Sequence, residues 1–352
     1  MSDLSQTLRE QVLDAREHQQ PVSIQGNNTK GFLGNSGATP ILDTSAHSGI
    51  LHYEPTELVL TARAGTLLSD ITQCLDEHQQ MLAFEPPGFG DKATLGGTIA
   101  CNLSGPRRPY AGAARDFVLG CCIINGQGQV LKFGGEVMKN VAGYDVSRLM
   151  TGAMGTLGIL LDISIKVVPK PPMELTIRKE VDNEQALQVM SRWRQRPMPV
   201  SAACHDGNHL YFRLSGSESA LKSAQNKMGG DRVDNGEDFW ERLREHKHAF
   251  FDINKPLWRL SLPANTPLFN LDGKQFIDWG GAQRWLVSSM DADKIRALTY
   301  KAGGHASLYR RMDSEVETFH PLPEAMLPIH QRIKQAFDPD NIFNPGRMYK
   351  TI

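Results

Sequence analysis

The sequence predicts an α+β fold in two domains. Most of the 32 glycines precede Pro169, so the two halves are built differently. Pro169, Pro171 and Pro172 close a strand-like run and mark a boundary, because proline removes a ladder donor and fixes φ. Beyond them the pattern settles into alternating strands and helices, as in an antiparallel sheet with helices on one face. The expected division is residues 1–169, residues 170–318, and a C-terminal helix and loop over 319–352.

Each element follows from its local pattern. Leu4, Leu8 and Val12 recur at helical spacing in the charged N-terminal stretch. Short strands are expected at Pro21 to Gln25, Ile41 to Leu42 and Leu58 to Ala64, and then a helix from Thr66 with Leu67, Ile71, Cys74 and Leu75 on one face. Phe117 to Ile124 and Gln129 to Phe133 flank Asn-Gly-Gln-Gly, a hairpin signal, since Asn and Gly tolerate positive φ. A short helix is expected near Tyr144 to Met150. From Ile159 to Val167 apolar and polar residues alternate, which predicts a strand buried on one face. The second domain reads as strand (Leu175 to Val181), helix (Asn183 to Gln195), strands (Val200 to His205, Leu210 to Leu214) and helices (Glu218 to Lys227, Phe239 to Lys247). Strands at Leu257 to Leu262 and Arg284 to Ser288 follow, then a helix from Asp291 to Ala302 and a strand at Ala306 to Arg310. In the EHKH run of a charged helix, His246 and His248 are expected to face solvent.

A formal net charge of -1 gives no reason to expect nucleic acid or an anionic surface as partner. The five cysteines have no CxxC or metal-ligand spacing, which favours packed thiols in a reducing compartment. No apolar run approaches the ~18 residues that span a bilayer. The expectation is a cytoplasmic chain that spans no membrane.

No P-loop, no G-x-G-x-x-G after a strand, no H-E-x-x-H and no G-x-S-x-G is present. What remains is three loops rich in backbone donors. QGNNTK, from Gln25 to Lys30, ends a strand and can turn successive N–H groups toward an anion with the Thr29 hydroxyl beside them; an ordinary polar turn reads the same way. ATLGGTIACNLSG, from Ala93 to Gly105, places Gly96 and Gly97 among small and polar residues, either for close approach of a ligand or as a tight loop entering a short buried helix. GAMGTLGI, from Gly152 to Ile159, has glycines at intervals of three and leads into a strand.

Together with KNVAGYDVSRLM and the terminal FDPDNIFNPGRMY, in that order, these loops resemble the flavoenzymes of the vanillyl-alcohol oxidase and p-cresol methylhydroxylase (PCMH) type. The likeness covers roughly residues 20 to 170 and the last fifteen or so. Within that family the SGPRRPY, DWGGAQRWL and AGGHASLYR segments are most similar to the FAD-binding small subunits of bacterial glycolate oxidases. The resemblance implies a PCMH-type two-subdomain FAD-binding domain, a smaller antiparallel α+β cap, and a C-terminal segment returning to the flavin domain.

It also implies site residues. Gly26, Asn27, Asn28, Thr29 and Lys30 would hold the FAD pyrophosphate. Pro87, Thr94, Gly96, Gly97 and Asn102 would line the ribityl chain and isoalloxazine. Gly155, Gly158 and Ile159 would take the adenine end by main-chain contacts, and Asn344 would close the flavin end. No histidine occupies the pyrophosphate loop, so the FAD is expected to be non-covalent. The implied setting is a complex with a larger homologous FAD subunit and an iron–sulfur subunit, acting on a small 2-hydroxy acid such as glycolate. Any contact with the inner membrane would be peripheral and made through that complex.

Metal-dependent 2-hydroxyacid dehydrogenases of the family carry an H-x-G-D-G-N-L-H-like run, where this chain has AGGHASLYR and His305 alone. No metal is therefore expected. Arg259 and Arg310 are the candidates for a substrate carboxylate, which arginine binds bidentately. His305 is the nominal base, although a hydrogen-bonded packing histidine fits its sequence context better. Three roles stay open: a chain that oxidises the hydroxy acid itself, one that binds FAD as a relay or structural subunit, and a flavin-binding remnant that serves assembly.

Overall fold

The computed structural model describes residues 2–35, 37, 39–135, 145–312 and 316–352. The chain forms two compact units, one of residues 1–104, 113–169 and 321–352, the other of residues 105–112 and 170–320. The segment Gly105–Gly112, which the sequence reading left in the first domain, packs within the second unit: Arg107 pairs with Glu174, 2.5 Å away, and Arg108 lies 4.4 Å over Trp279.

In the first unit, the helix Ser5–Glu17 buries Leu8, Val12 and Ala15, one turn apart on a single stripe. Strands β1 (Ser23–Gln25) and β2 (Ile41–Asp43) pair in parallel. Next come β3 (Ile50–Glu54), which the sequence reading missed, β4 (Val59–Arg63) and β5 (Gln80–Met81), then β6 (Val118–Ile124), β7 (Val130–Gly134), β8 (Ile159–Lys166) and β9 (Val168–Pro169). The main sheet runs β3-β4-β8-β6-β7, all antiparallel. The β6–β7 hairpin turns where expected. Asn125 Oδ1 accepts from the N–H groups of Gln127 and Gln129, and Gly128 takes φ +71°.

Strand β8 departs from the one-sided burial that its alternation predicted. It is the middle strand of five, and Ile159, Leu160, Leu161, Ile163, Ser164 and Ile165 are all buried. Both faces are covered, so Ser164 bonds the buried Thr61 hydroxyl across the sheet at 2.9 Å. The short helix Val146–Met150 begins at the Asp145 cap, and the expected start at Tyr144 lies outside the described residues.

The C-terminal segment returns to this unit. Ile342 and Phe343 join the core cluster of Leu8, Val12, Val22, Leu42, Ile124, Ile159 and Leu161. Val22 N–H donates to Ile342 O and Asn344 N–H to Val22 O, a short parallel bridge that extends the edge of β1. At the end of the helix Leu327–Phe337, buried Lys334 pairs with buried Asp338 at 2.7 Å.

The second unit holds β10 (Met173–Glu180), β11 (Val200–His205), β12 (His209–Gly216), β13 (Asp231–Arg232), β14 (Leu257–Ser261), β15 (Lys274–Asp278), β16 (Gln283–Val287) and β17 (His305–Arg310). They form one sheet in the order β13-β10-β12-β11-β15-β16-β14-β17. Strands β13 and β15 carry little alternation and were not expected. Helices Asn183–Arg194, Glu218–Met228 and Ala292–Lys301 start at side-chain caps from Asp182, Ser217 and Asp291. The first two pack Met190, Trp193, Leu221 and Ala224 on one part of the sheet, and Ile295 of the third packs with Trp258, Leu260 and Leu308 on another.

Because Lys334 and Asp338 are both buried, removing one partner strands the other charge. Asp338→Ala is expected to lower the unfolding free energy by about 3–5 kcal/mol, measured by urea denaturation of the full chain. A loss below about 1 kcal/mol, the range of exposed pairs, would show that the pair does not hold the tail.

Candidate functional site

A cleft in the first unit is built from β1, the QGNNTK loop, the helix Leu95–Cys101, the 154–158 loop and the C-terminal tail. The empty space it encloses, about 1310 Å³, is partly open to solvent. Gly26, Asn27, Asn28, Thr29, Lys30, Thr94, Gly96, Gly97, Gly155, Gly158 and Asn344 all line it. Among the described residues its lining carries two cations, Lys30 and Arg347, and no carboxylate.

The pyrophosphate-loop candidate carries one left-handed residue. Asn28 adopts φ +54°, a left-handed conformation that asparagine tolerates better than most residues. Asn27 Nδ2 donates to Lys92 O at 2.9 Å, which fixes the loop against the segment leading to the glycine pair. Lys30 is buried and its Nζ lies 3.3 Å from the Thr29 hydroxyl and 5.9 Å from the Phe89 ring centroid.

The glycine pair lies inside a helix, not in an extended loop, and its members do different work. Thr94 caps the helix, its hydroxyl accepting from Gly97 N–H. Gly96 N–H donates to Ala64 O at 2.7 Å, and a Cβ on Gly96 would stand 2.7 Å from Ala64 Cβ. Its missing side chain therefore serves the packing of the helix on the end of β4. A Cβ on Gly97 would meet only the Thr94 hydroxyl, at 3.2 Å, so that position keeps space free on the cleft side.

Asn344 lines the cleft from the tail. Its Oδ1 accepts from Ile24 N–H at 2.8 Å and its Nδ2 donates to Met154 O at 2.6 Å, so it stitches β1 to the 154–158 loop. A Cβ on Gly155 would fall 2.6 Å from Asn344 Nδ2. Asn344 thus stands beside Gly155, so the two expectations that set Gly155 at the adenine end and Asn344 at the flavin end cannot both hold. Pro87, Asn102 and Ile159 are not among the lining residues. Asn102 ends the helix with φ +49° and its Cβ faces Gly152, while Ile159 lies in the core.

Sequence reasoning missed Cys101 and Arg347, both of which line the cleft. Burial raises the Cys101 thiol pKa, and nearby Lys30 and Arg347 oppose that shift. Arg347 could have been found from Asn344, its neighbour in the same NPGR run. Cys101 carries no signal beyond its place beside the glycine pair.

In the second unit, Arg259 pairs with Ser307 across β14 and β17, and His305 with Ser261. His305 is exposed at the start of β17, with a pKa lowered by partial desolvation and by the charges of Arg259 and His320. Arg259 lies 5.5 Å over the Tyr309 ring, and burial lowers its pKa. His246 is not on a solvent face. Its ring stacks on Phe251 at 3.9 Å and meets Trp285 at 4.8 Å and Tyr309 at 5.4 Å. Desolvation first, then Arg310 and Arg259, hold its pKa well below the usual range, so it is neutral at pH 7. Arg259 and Arg310 thus both act on the charge of the His246 imidazole. Among the described residues no group of histidine, cysteine and acidic side chains could hold a metal.

The fold and the cleft are those of a PCMH-type FAD-binding flavoprotein. Residues 5–134 match the FAD binding domain family and residues 317–348 the C-terminal domain of FAD linked oxidases. The chain is 48% identical over 350 residues to glycolate oxidase subunit GlcE of Escherichia coli (strain K12), covering 99% of each. It is 30% identical over 402 residues to D-lactate dehydrogenase of Archaeoglobus fulgidus, covering 96% of this chain and 88% of that one. An alkyldihydroxyacetonephosphate synthase structure superposes with a TM-score of 0.67 at 13% identity, over 96% of this chain and 74% of that one, a likeness of fold. The chain belongs to the FAD-binding family of glycolate oxidase subunit GlcE.

The two glycines are separable by mutation. Gly97→Val is expected to leave the thermal midpoint within a few degrees but abolish flavin retention, read from the ratio of flavin to protein absorbance. Gly96→Val drives a side chain into Ala64 and is expected to cost stability by overpacking, about 1–3 kcal/mol or more. Equal flavin content in Gly97→Val and the unaltered chain would show that the cleft side of this helix is not where cofactor lies.

Proposed function

We propose that this chain is the FAD-binding subunit of a multi-subunit glycolate oxidase. It holds one non-covalent FAD in a complex that oxidises glycolate to glyoxylate, with electrons passed to an iron–sulfur subunit and on to an acceptor other than oxygen. The observation that carries the reading is the cleft itself: backbone donors, two cations and no carboxylate among the described lining residues, in a chain alike from end to end to GlcE. The QGNNTK loop would bind the pyrophosphate, Gly97 would give the cofactor room, and the 154–158 loop with Asn344 would form the wall at the adenine end. FAD when bound supplies a two-electron acceptor for the carbon-bound hydrogen of an alcohol.

The partners in this reading are a larger homologous FAD subunit and the iron–sulfur subunit. None of the described helices is long and apolar enough to cross a membrane. We place the complex in the cytoplasm, with peripheral contact to the inner membrane made by other subunits.

A second reading, in which this chain itself oxidises the 2-hydroxy acid, has one observation in its favour. Arg259 and Arg310 lie close enough to His246 to act on its charge, which would anchor a carboxylate beside a neutral base. His305, nominated from sequence, is exposed and suits that task less well. The relay role needs none of these groups.

Two measurements test this. Flavin should shield Cys101: with FAD bound, maleimide labelling mapped by mass spectrometry is expected to fall at Cys101 and stay unchanged at Cys74 and Cys122. Labelling of Cys101 that is indifferent to FAD would place the cofactor elsewhere. Anaerobic glycolate added to the isolated yellow chain separates the readings, since bleaching near the flavin maximum marks direct oxidation and an unchanged spectrum marks the relay role.

A further inference from the structure

The C-terminal tail contributes more to the cleft than Asn344. Arg347 Nη1 donates to Asn35 O at 3.1 Å and Nη2 to Gly31 O at 3.2 Å. In return Asn35 N–H donates to Arg347 O at 2.8 Å, and Asn35 Nδ2 to Gly346 O at 3.0 Å. Gly34 takes φ +84°, and a Cβ there would stand 3.0 Å from Arg347 Nε, so the loop runs tight against the arginine. The guanidinium is thereby held next to the residue that follows Lys30, and both cations line the same cleft. Both also lower the pKa of the Cys101 thiol against the effect of burial, so both stand near it.

A diphosphate carries two negative charges, and a cleft with two cations and no described carboxylate matches that count. We propose that Arg347 is a diphosphate-binding residue of the FAD site, acting with Lys30, so that the C-terminal tail is part of the cofactor site and not only its support. Arginine suits the task because its planar guanidinium stays charged and matches the paired oxygens of a phosphate. The inference rests on the FAD reading and adds a residue to it.

The test compares FAD affinity of the full-length apoprotein, wild type, Arg347→Met and Arg347→Lys, by fluorescence titration at low and moderate salt. Loss of one charge-assisted contact is expected to weaken FAD about 10- to 100-fold in Arg347→Met. Arg347→Lys is expected to bind at least about fivefold tighter than Arg347→Met, since it keeps the charge, and the salt dependence of binding is expected to be flatter in Arg347→Met. FAD bound by Arg347→Met within about threefold of wild type overturns the proposal, as does equal weakening in Arg347→Met and Arg347→Lys, which marks a scaffold role. Should Arg347→Met not fold, wild-type apoprotein decides: phenylglyoxal labelling of Arg347, mapped by mass spectrometry, is expected to fall when inorganic pyrophosphate or FAD is added. Labelling indifferent to both overturns the proposal. Wild-type protein that takes up no FAD at all sinks the flavin reading itself, and equal uptake by wild type and variants sinks only the role of Arg347.

Discussion

The cleft depends on one buried ion pair. Lys334 Nζ donates to Asp338 Oδ2 at 2.7 Å, to Phe343 O at 2.8 Å and to Thr156 O at 2.9 Å, so its three donors are all used. Asp338 accepts in turn from Phe343 N–H and Ile342 N–H. A buried pair is worth having only when its remaining donors and acceptors are satisfied, and here they are satisfied by backbone. That backbone belongs to the tail and to the loop that carries Thr156. The pair thus sets the distance between the tail and the 154–158 loop, and Asn344, one residue beyond Phe343, bonds both β1 and Met154. Gly126 N–H also bonds Phe337 O, which ties the β6–β7 hairpin to the end of the same helix.

How much of this was legible in the sequence follows from the range of each interaction. Strands with turn chemistry between them were readable, because Asn125 and Gly128 act within the hairpin they close. The three loops were readable because glycine and small polar residues are concentrated there. Lys334 and Thr156 lie 178 residues apart, and Asn344 and Met154 lie 190 apart, and no local pattern reports such pairs. The glycine pair was half legible: closeness to the main chain was correctly inferred, but for Gly96 the approaching group is Ala64, a protein neighbour.

His246 shows a different failure. In EHKH it sits among charges, and charges usually mean solvent. The helix Gly236–Arg244 ends just before it, and His246 takes φ +54°, which swings the ring off the helical path onto Phe251 and Trp285. The positive φ is the cause, and a histidine in that conformation gives no sign of it in composition or periodicity. Strand β8 fails for the opposite reason. Its alternation was real, but Thr61 and Ser164 satisfy each other across the sheet, so a polar residue could be buried without facing water.

In the proposed reading the two units offer an anion different groups, and the comparison bears on what the chain does. In the first unit those groups are backbone donors, Lys30 and Arg347, all on the lining of one cleft. The second presents Arg259 and Arg310 near an imidazole that desolvation and those same arginines keep neutral. A dehydrogenated 2-hydroxy acid must lose a proton from its hydroxyl as the hydride leaves carbon, so an anchor without a base binds but does not turn over. Desolvation is the larger cause of the lowered His246 pKa and the arginines the smaller, so a carboxylate that offset their charge would restore its proton affinity only in part, and an anchor for the substrate would not by itself make this imidazole a strong base.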